Sequence, residues 1–245
     1  MQGVTTAAES IPQQLEQVIP GYAVYNYGIG GYGLDQVYLR YRESHRKFET
    51  PIVVFGIFSE DIDRCLLSVR SGQKPYFRIE NGELTLKGVP IDPDPQAWLA
   101  ANPPRVASYL LAFVQKRLRI LAAHGRTGEV SHRRDEEKQI ASRLIQAVVR
   151  EAASRNEPLL FVVFYAEGEL TDESWRERFL LDEIAASSAP VVDTKPLLLQ
   201  AARDRGVQVA EFHEGANGHP NLAANRVMAE AIARALPPAS DSSSR

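Results

Sequence analysis

Cysteine is almost missing from this chain of 245 residues: Cys65 stands alone, so neither an internal disulfide nor a multi-thiolate zinc site can form. Long apolar runs are missing too. The longest, Pro51 to Phe58 and Pro158 to Ala166, have the length of strands and fall well short of the roughly 18 apolar residues that a membrane-spanning helix needs. Nor is there an excess of charge of one sign. With 28 Lys+Arg against 31 Asp+Glu, a net charge of -3 gives a polyanion no electrostatic reason to bind, so nucleic acid is not an expected partner. The first residues, Met1 to Thr6, carry neither the basic flank nor the apolar core of a secretory signal, and the compartment stays open. What remains, 44% hydrophobic and 24% charged residues, is the composition of a globular α/β-sized domain.

The pattern along the chain alternates strand and helix. Ser10 to Ile19 places Ile11, Leu15, Val18 and Ile19 at helical spacing, with Ser10 as N-cap. Tyr22 to Tyr27 reads as a strand, followed by the glycine run Gly28 to Gly33 and a helical stripe through Leu34, Val37, Tyr38 and Tyr41. Ile52 to Phe55 reads as a parallel strand covered on both faces. Tyr76 to Glu80 and Glu83 to Lys87 flank Asn81-Gly82, the pair that best signals a hairpin. Pro90 to Pro104 reads as an irregular excursion. Two helices follow, one through Val106 to Leu121 and one through Ile140 to Val149, separated by a polar stretch from Gly125 to Asp135.

Strands at Leu159 to Tyr165 and Pro190 to Asp193, an ambiguous segment at Val207 to Phe212, and helices over Glu173–Ala186, Pro196–Arg205 and Leu222–Leu236 complete the set. The expected fold is a three-layer α/β/α domain over residues 1–237, built on a parallel sheet, with a hairpin inserted near 74–90 and a Ser-rich tail at 238–245. In such sheets sites lie at the carboxyl ends of strands, which here are Gly28 to Gly33, Gly56 to Asp61 and Glu214 to Asn221.

Four glycines in six positions let backbone N–H groups face a ligand. A dinucleotide fingerprint does not fit their order, although a flavodoxin-like nucleotide or phosphate module stays an alternative. His219 sits on a loop between Gly218 and Pro220, ahead of a residue that can cap a helix, which suits a general base. The remaining histidines, His45, His124, His132 and His213, read as surface residues. One well-placed histidine and one cysteine make no metal ligand set, and no cofactor is expected.

Together these residues resemble the SGNH (GDSL-type) hydrolases, bacterial esterases and acyl-ester hydrolases. Val24 to Gln36 is similar to their second block, Val54 to Ile62 to their third, and His219-Pro220-Asn221 to their last; the hairpin from Lys74 to Pro90 resembles an insertion of one bacterial branch. The resemblance implies a serine that attacks an ester carbonyl, His219 as the base, Gly31 as a backbone oxyanion donor, and Asn26 and Glu60 beside the substrate.

The departures are specific. Glu60 stands where the family has an amide. Asn217 and Ala216 stand where it has an acid, which leaves Glu214 as the nearest substitute. The apolar strand ending in Gly-Asp-Ser, which carries the nucleophile, has no counterpart, and Ser10 aligns beyond it. The expectation is an N-terminally shortened ester hydrolase, inactive alone, acting in its complete form on a small ester or acylated carbohydrate. The alternative is a catalytically silent module that binds acylated carbohydrate. Oligomeric state is left open.

Overall fold

The structure, a computed structural model, describes residues 7–70, 72–103, 113–114, 129–214 and 219–237. α1 (Ile11–Val18) has Pro12 in its first turn and buries Leu15. Ser10 holds the N-cap position, yet its hydroxyl makes no capping bond. α2 (Leu34–Ser44) buries Leu34, Tyr38 and Tyr41, the i, i+4, i+7 face read from the sequence. β1 (Val53–Phe58) follows. β2 (Tyr76–Glu80) and β3 (Glu83–Lys87) pair antiparallel about Asn81 and Gly82, both at positive φ as a two-residue hairpin turn requires.

α3 (Pro95–Ala101) is capped by Asp94, whose carboxylate accepts the Gln96 and Ala97 N–H groups at 2.9 and 3.0 Å. The expected irregular stretch from Pro90 to Pro104 therefore contains a short helix, started by an Asp-Pro cap. α4 runs from Glu129–Ser154 and takes in part of the expected polar linker. The helix expected over Val106 to Leu121 lies, except for residues 113–114, outside the described residues.

β4 (Leu159–Phe164), α5 (Trp175–Ala186), β5 (Val191–Asp193) and α6 (Thr194–Arg205) come next, α6 ending at Gly206 in the left-handed region. The ambiguous segment at Val207 to Phe212 is a 3₁₀ turn, Val209–Phe212, followed by β6 (His213–Glu214) and β7 (His219–Pro220). α7 (Leu222–Ala235) is capped by Asn221 through the Ala224 N–H at 3.1 Å.

The central sheet is parallel and has three strands in the order β1-β4-β5. Side-chain alternation sends Phe55, Ile57, Phe161 and Val163 into a core shared with α2, α4 and α5. Leu160, Val162 and Val192 face the other way, onto Leu15 of α1 and Ala229 and Ile232 of α7. Helices thus cover both faces of a parallel sheet.

One expected strand is not there. Tyr22 to Tyr27 has no regular secondary structure and joins no sheet among the described residues. A strand is defined by its partner, and alternation alone cannot supply one. The outer edge of β1 is likewise unpaired among the described residues. Phe55 and Ile57 turn their N–H and C=O groups to β4, so those of Val54 and Gly56 point out from the open edge. Val54 is 37% exposed, whereas Leu160, its register partner on β4, is 2% exposed. Val54→Thr is therefore expected to shift stability by no more than about 0.5 kcal/mol, as at an ordinary surface site. A urea-measured loss several times larger would mean that the edge is covered.

Candidate active site

The ends of α7 fix which edge of the sheet carries the site. Ala235 and Leu236, at its C-terminus, line an open depression with Ile52, Pro158 and Pro190, the residues just before β1, β4 and β5. α7 thus runs against the strands, and His219, just before its start, lies at their carboxyl edge. α1 lies alongside in the same sense. Asn225 Nδ2 donates to the Glu9 carbonyl at 2.8 Å, near the start of both helices, while the Tyr22 hydroxyl donates to the Pro237 carbonyl at 3.0 Å, near the end of both. The segment from Tyr22 onward consequently returns to the carboxyl edge, parallel to β1.

There the glycine run forms a turn, with the Tyr32 N–H donating to the Ile29 carbonyl at 3.3 Å. Asn26 shapes its entry: Oδ1 accepts the Gly28 N–H at 2.9 Å. Gly31 has φ +86, a conformation that a side chain would strain, and no hydrogen bond among the described residues uses its N–H. A Cβ on Gly33 would come within 2.8 Å of Arg64 Cβ and of Asp35 Oδ1, so the glycine permits the close approach of α2 to the 3₁₀ turn Asp63–Leu66.

Arg64 joins this turn to the end of β1. Its Nη1 donates to the Tyr32 carbonyl at 3.2 Å and to Asp61 Oδ1, and its Nη2 lies 3.6 Å from Glu60 Oε2. Gly31 and Glu60 are thereby brought into one neighbourhood. Glu60 is not aimed as an isolated carboxylate, since its side chain is half exposed and faces Arg64. Asp61, in contrast, is buried and accepts the Phe58 N–H at 3.3 Å.

Burial pushes the Asp61 carboxyl up from 3.8 to about 7, against the opposing pull of Arg64. The folded protein accordingly holds a proton at Asp61 that the unfolded chain releases between those values. The stability from this group is full below pH 3.8 and is lost as pH rises through about 7. Asp61→Asn does not titrate, so the stability of the native chain relative to this variant is expected to fall from pH 4 to pH 7. Urea midpoints across that range check the sign, and a rise would contradict it.

The third segment lies at the same edge. Glu214 and His219 face each other in the β6-β7 register, which sets side by side the residues expected as acid and base, although no hydrogen bond joins their side chains among the described residues. Glu214 is exposed and, with Asn221 and Arg226, lines an open depression of about 350 Å³. Arg64 links the turn of Gly31 to Glu60, and the β6-β7 register sets His219 opposite Glu214; both pairs stand at the carboxyl edge, and no hydrogen bond or ion pair among the described residues joins one to the other. Asn217 and Ala216 lie outside the described residues.

Two histidines are not on the surface as expected. His45 is buried, with Nδ1 3.1 Å from Glu157 Oε1 and its ring against Tyr41. Its neighbours in sequence are polar, but its partner is more than a hundred residues away. His213 is half-buried with both ring nitrogens unpartnered, and burial lowers its pKa. The side chains of His124 and His132 lie outside the described residues.

One serine stands at a strand end, which the sequence reading passed over. Ser59 follows β1 but is fully buried and donates its hydroxyl proton to Glu169, so it cannot meet a substrate. Arg64 and Arg70 were also passed over. Arg64 lies three and four residues after Asp61 and Glu60, a spacing at which side chains meet on a helical turn, whereas nothing in sequence announces Arg70. No group of His, Cys, Asp and Glu among the described residues could hold a metal ion. No helix among them is long and apolar enough to cross a membrane.

Comparison with protein-family models, with curated proteins and with solved structures found no match for this chain.

Proposed function

We propose that this chain is an SGNH-type ester hydrolase domain whose nucleophile arrives on a strand laid against the open edge of β1. The observation that carries the reading is a pair of segments, Tyr22 to Tyr27 and β1, that run in the same direction, have no common partner among the described residues and lead into the two halves of one glycine- and carboxylate-bearing site. A strand between them, parallel to both, would take up the outward N–H and C=O groups of Val54 and Gly56 and cover the exposed Val54 side chain. It would end at the carboxyl edge, where α1 begins. A serine at its end would face Gly31, and His219 would take the serine proton as the hydroxyl attacks the ester carbonyl.

The substrate class is a small carboxylic ester or an acylated carbohydrate. One observation favours a second reading, a silent module that binds acylated carbohydrate: Glu60, a carboxylate, stands near Gly31 where an oxyanion would need a donor.

Fluorophosphonate labelling tests the main reading. The chain alone should take up no label, whereas a version carrying an apolar strand that ends in Gly-Asp-Ser ahead of Met1 should be labelled stoichiometrically on that serine. Labelling of a serine within the chain itself, or none in the joined version, contradicts it.

A further inference from the structure

We infer that Arg70 is the second oxyanion donor of this site, the role that Glu60 cannot fill; the inference rests on the ester-hydrolase reading. A Cβ built on Gly31 would lie 3.3 Å from Arg70 Nη2 and 3.4 Å from both Cζ and Nε, so the guanidinium lies face-on over the glycine, in space that any side chain would occupy. Its charge is uncommitted, since Arg70 makes no side-chain hydrogen bond or ion pair among the described residues. The neighbouring Arg64 differs. Its donors are already spent on Tyr32, Asp61 and Glu60, and it holds the turn and does not reach beyond it.

A planar cation with five N–H donors, beside an unused backbone N–H, is arranged for an oxygen that gains negative charge. When a serine hydroxyl attacks the ester carbon, the C–O bond forms, the carbonyl π pair moves to its oxygen, and the hydroxyl proton passes to His219. That oxygen would be held by the Gly31 N–H and an Arg70 N–H. As the pair returns to remake the carbonyl, the alcohol leaves with the proton from His219. Arg64 meanwhile draws the Glu60 carboxylate aside, which lowers the repulsion that this residue would impose on the oxyanion.

Methylphosphonate, a tetrahedral anion, probes the site in the chain as it stands. Titration followed by amide NMR should shift the Gly31 resonance; Arg70→Gln should weaken binding tenfold or more, Arg70→Lys should recover part of it, and Arg46→Gln, a charge change in the turn before β1, should leave it unaltered. Absence of a Gly31 shift, or equal binding by Arg70→Gln, overturns the inference. The strand-joined protein separates this failure from that of the underlying reading. There Arg70→Gln should cut kcat by a factor on the order of 10² to 10³ with KM little changed, the usual effect of removing one oxyanion donor. Turnover undiminished by Arg70→Gln dismisses the arginine and keeps the hydrolase, whereas a strand-joined protein without turnover dismisses the hydrolase and the arginine's catalytic role with it.

Discussion

Lys74→Met is expected to destabilise the protein by about 3–5 kcal/mol at pH 8, the usual cost of removing one partner of a buried ion pair. Lys74 Nζ donates to Asp35 in a place where the two side chains are 2% and 0% exposed, and the Asp35 carboxylate would be left without its counter-charge. The pair fastens the base of the β2-β3 hairpin to the first turn of α2, next to the Gly33 contact that seats the glycine turn. Burial already pushes the Asp35 carboxyl up to about 6, so without Lys74 it would protonate more readily still, and the loss should shrink as pH falls toward 5. The double variant Asp35→Asn, Lys74→Met should recover most of it, since two neutral groups leave no charge buried. Urea unfolding at the two pH values measures all three. A loss under about 1 kcal/mol at pH 8 would show that the hairpin is held by its apolar contacts, with Phe77 against Tyr38, and not by the pair.

His219→Ala should lower kcat of the strand-joined protein by a factor on the order of 10² to 10⁴, the range for loss of a general base, with the fold unchanged. The imidazole is held at little entropic cost, because Pro220 follows it and Asn221 is anchored on both sides: its Oδ1 caps α7, its Nδ2 donates to the Glu211 carbonyl at 2.8 Å, and its N–H donates to the Phe212 carbonyl at 2.9 Å. Glu214→Gln should cost less, since the Glu214 side chain is exposed and makes no hydrogen bond to the ring. His213 is the rival. Its ring nitrogens are buried and unpartnered, and burial lowers its pKa, which favours the neutral ring that a base needs. His213→Ala should nonetheless leave turnover within a fewfold of the starting value. Abolition by His213→Ala with His219→Ala intact would move the base to His213.

Sequence was enough where structure is local. The hairpin about Asn81-Gly82, the helices from Leu34 and Leu222 and the strands of the central sheet all follow from spacing, caps and turn residues that act within a few positions. It misled where a residue's role depends on a distant partner. Tyr22 to Tyr27 reads as a strand but pairs with none among the described residues; His45 looks solvated until Glu157 arrives to pair with it; Asp35 stands in the first turn of α2 with nothing nearby in sequence to announce Lys74, 39 positions on, which closes over it. The site shows the same division. Among the candidate residues, Gly31 and His219 stand out in sequence as part of a glycine run and a loop histidine, Glu60 and Glu214 come only from the family resemblance, and Arg70 has no sequence signal, because only the folded turn places its guanidinium over Gly31. Ser10 was read as a capping serine, and it holds that position without making the bond.

The most direct test of the account is p-nitrophenyl acetate turnover by the chain alone and by the chain with an apolar strand ending in Gly-Asp-Ser joined ahead of Met1. The account predicts no turnover above background for the first, and for the second a turnover that is lost when the serine of the added strand is changed to alanine. Equal turnover by both, or none by the joined protein once it is shown to be folded, would contradict it.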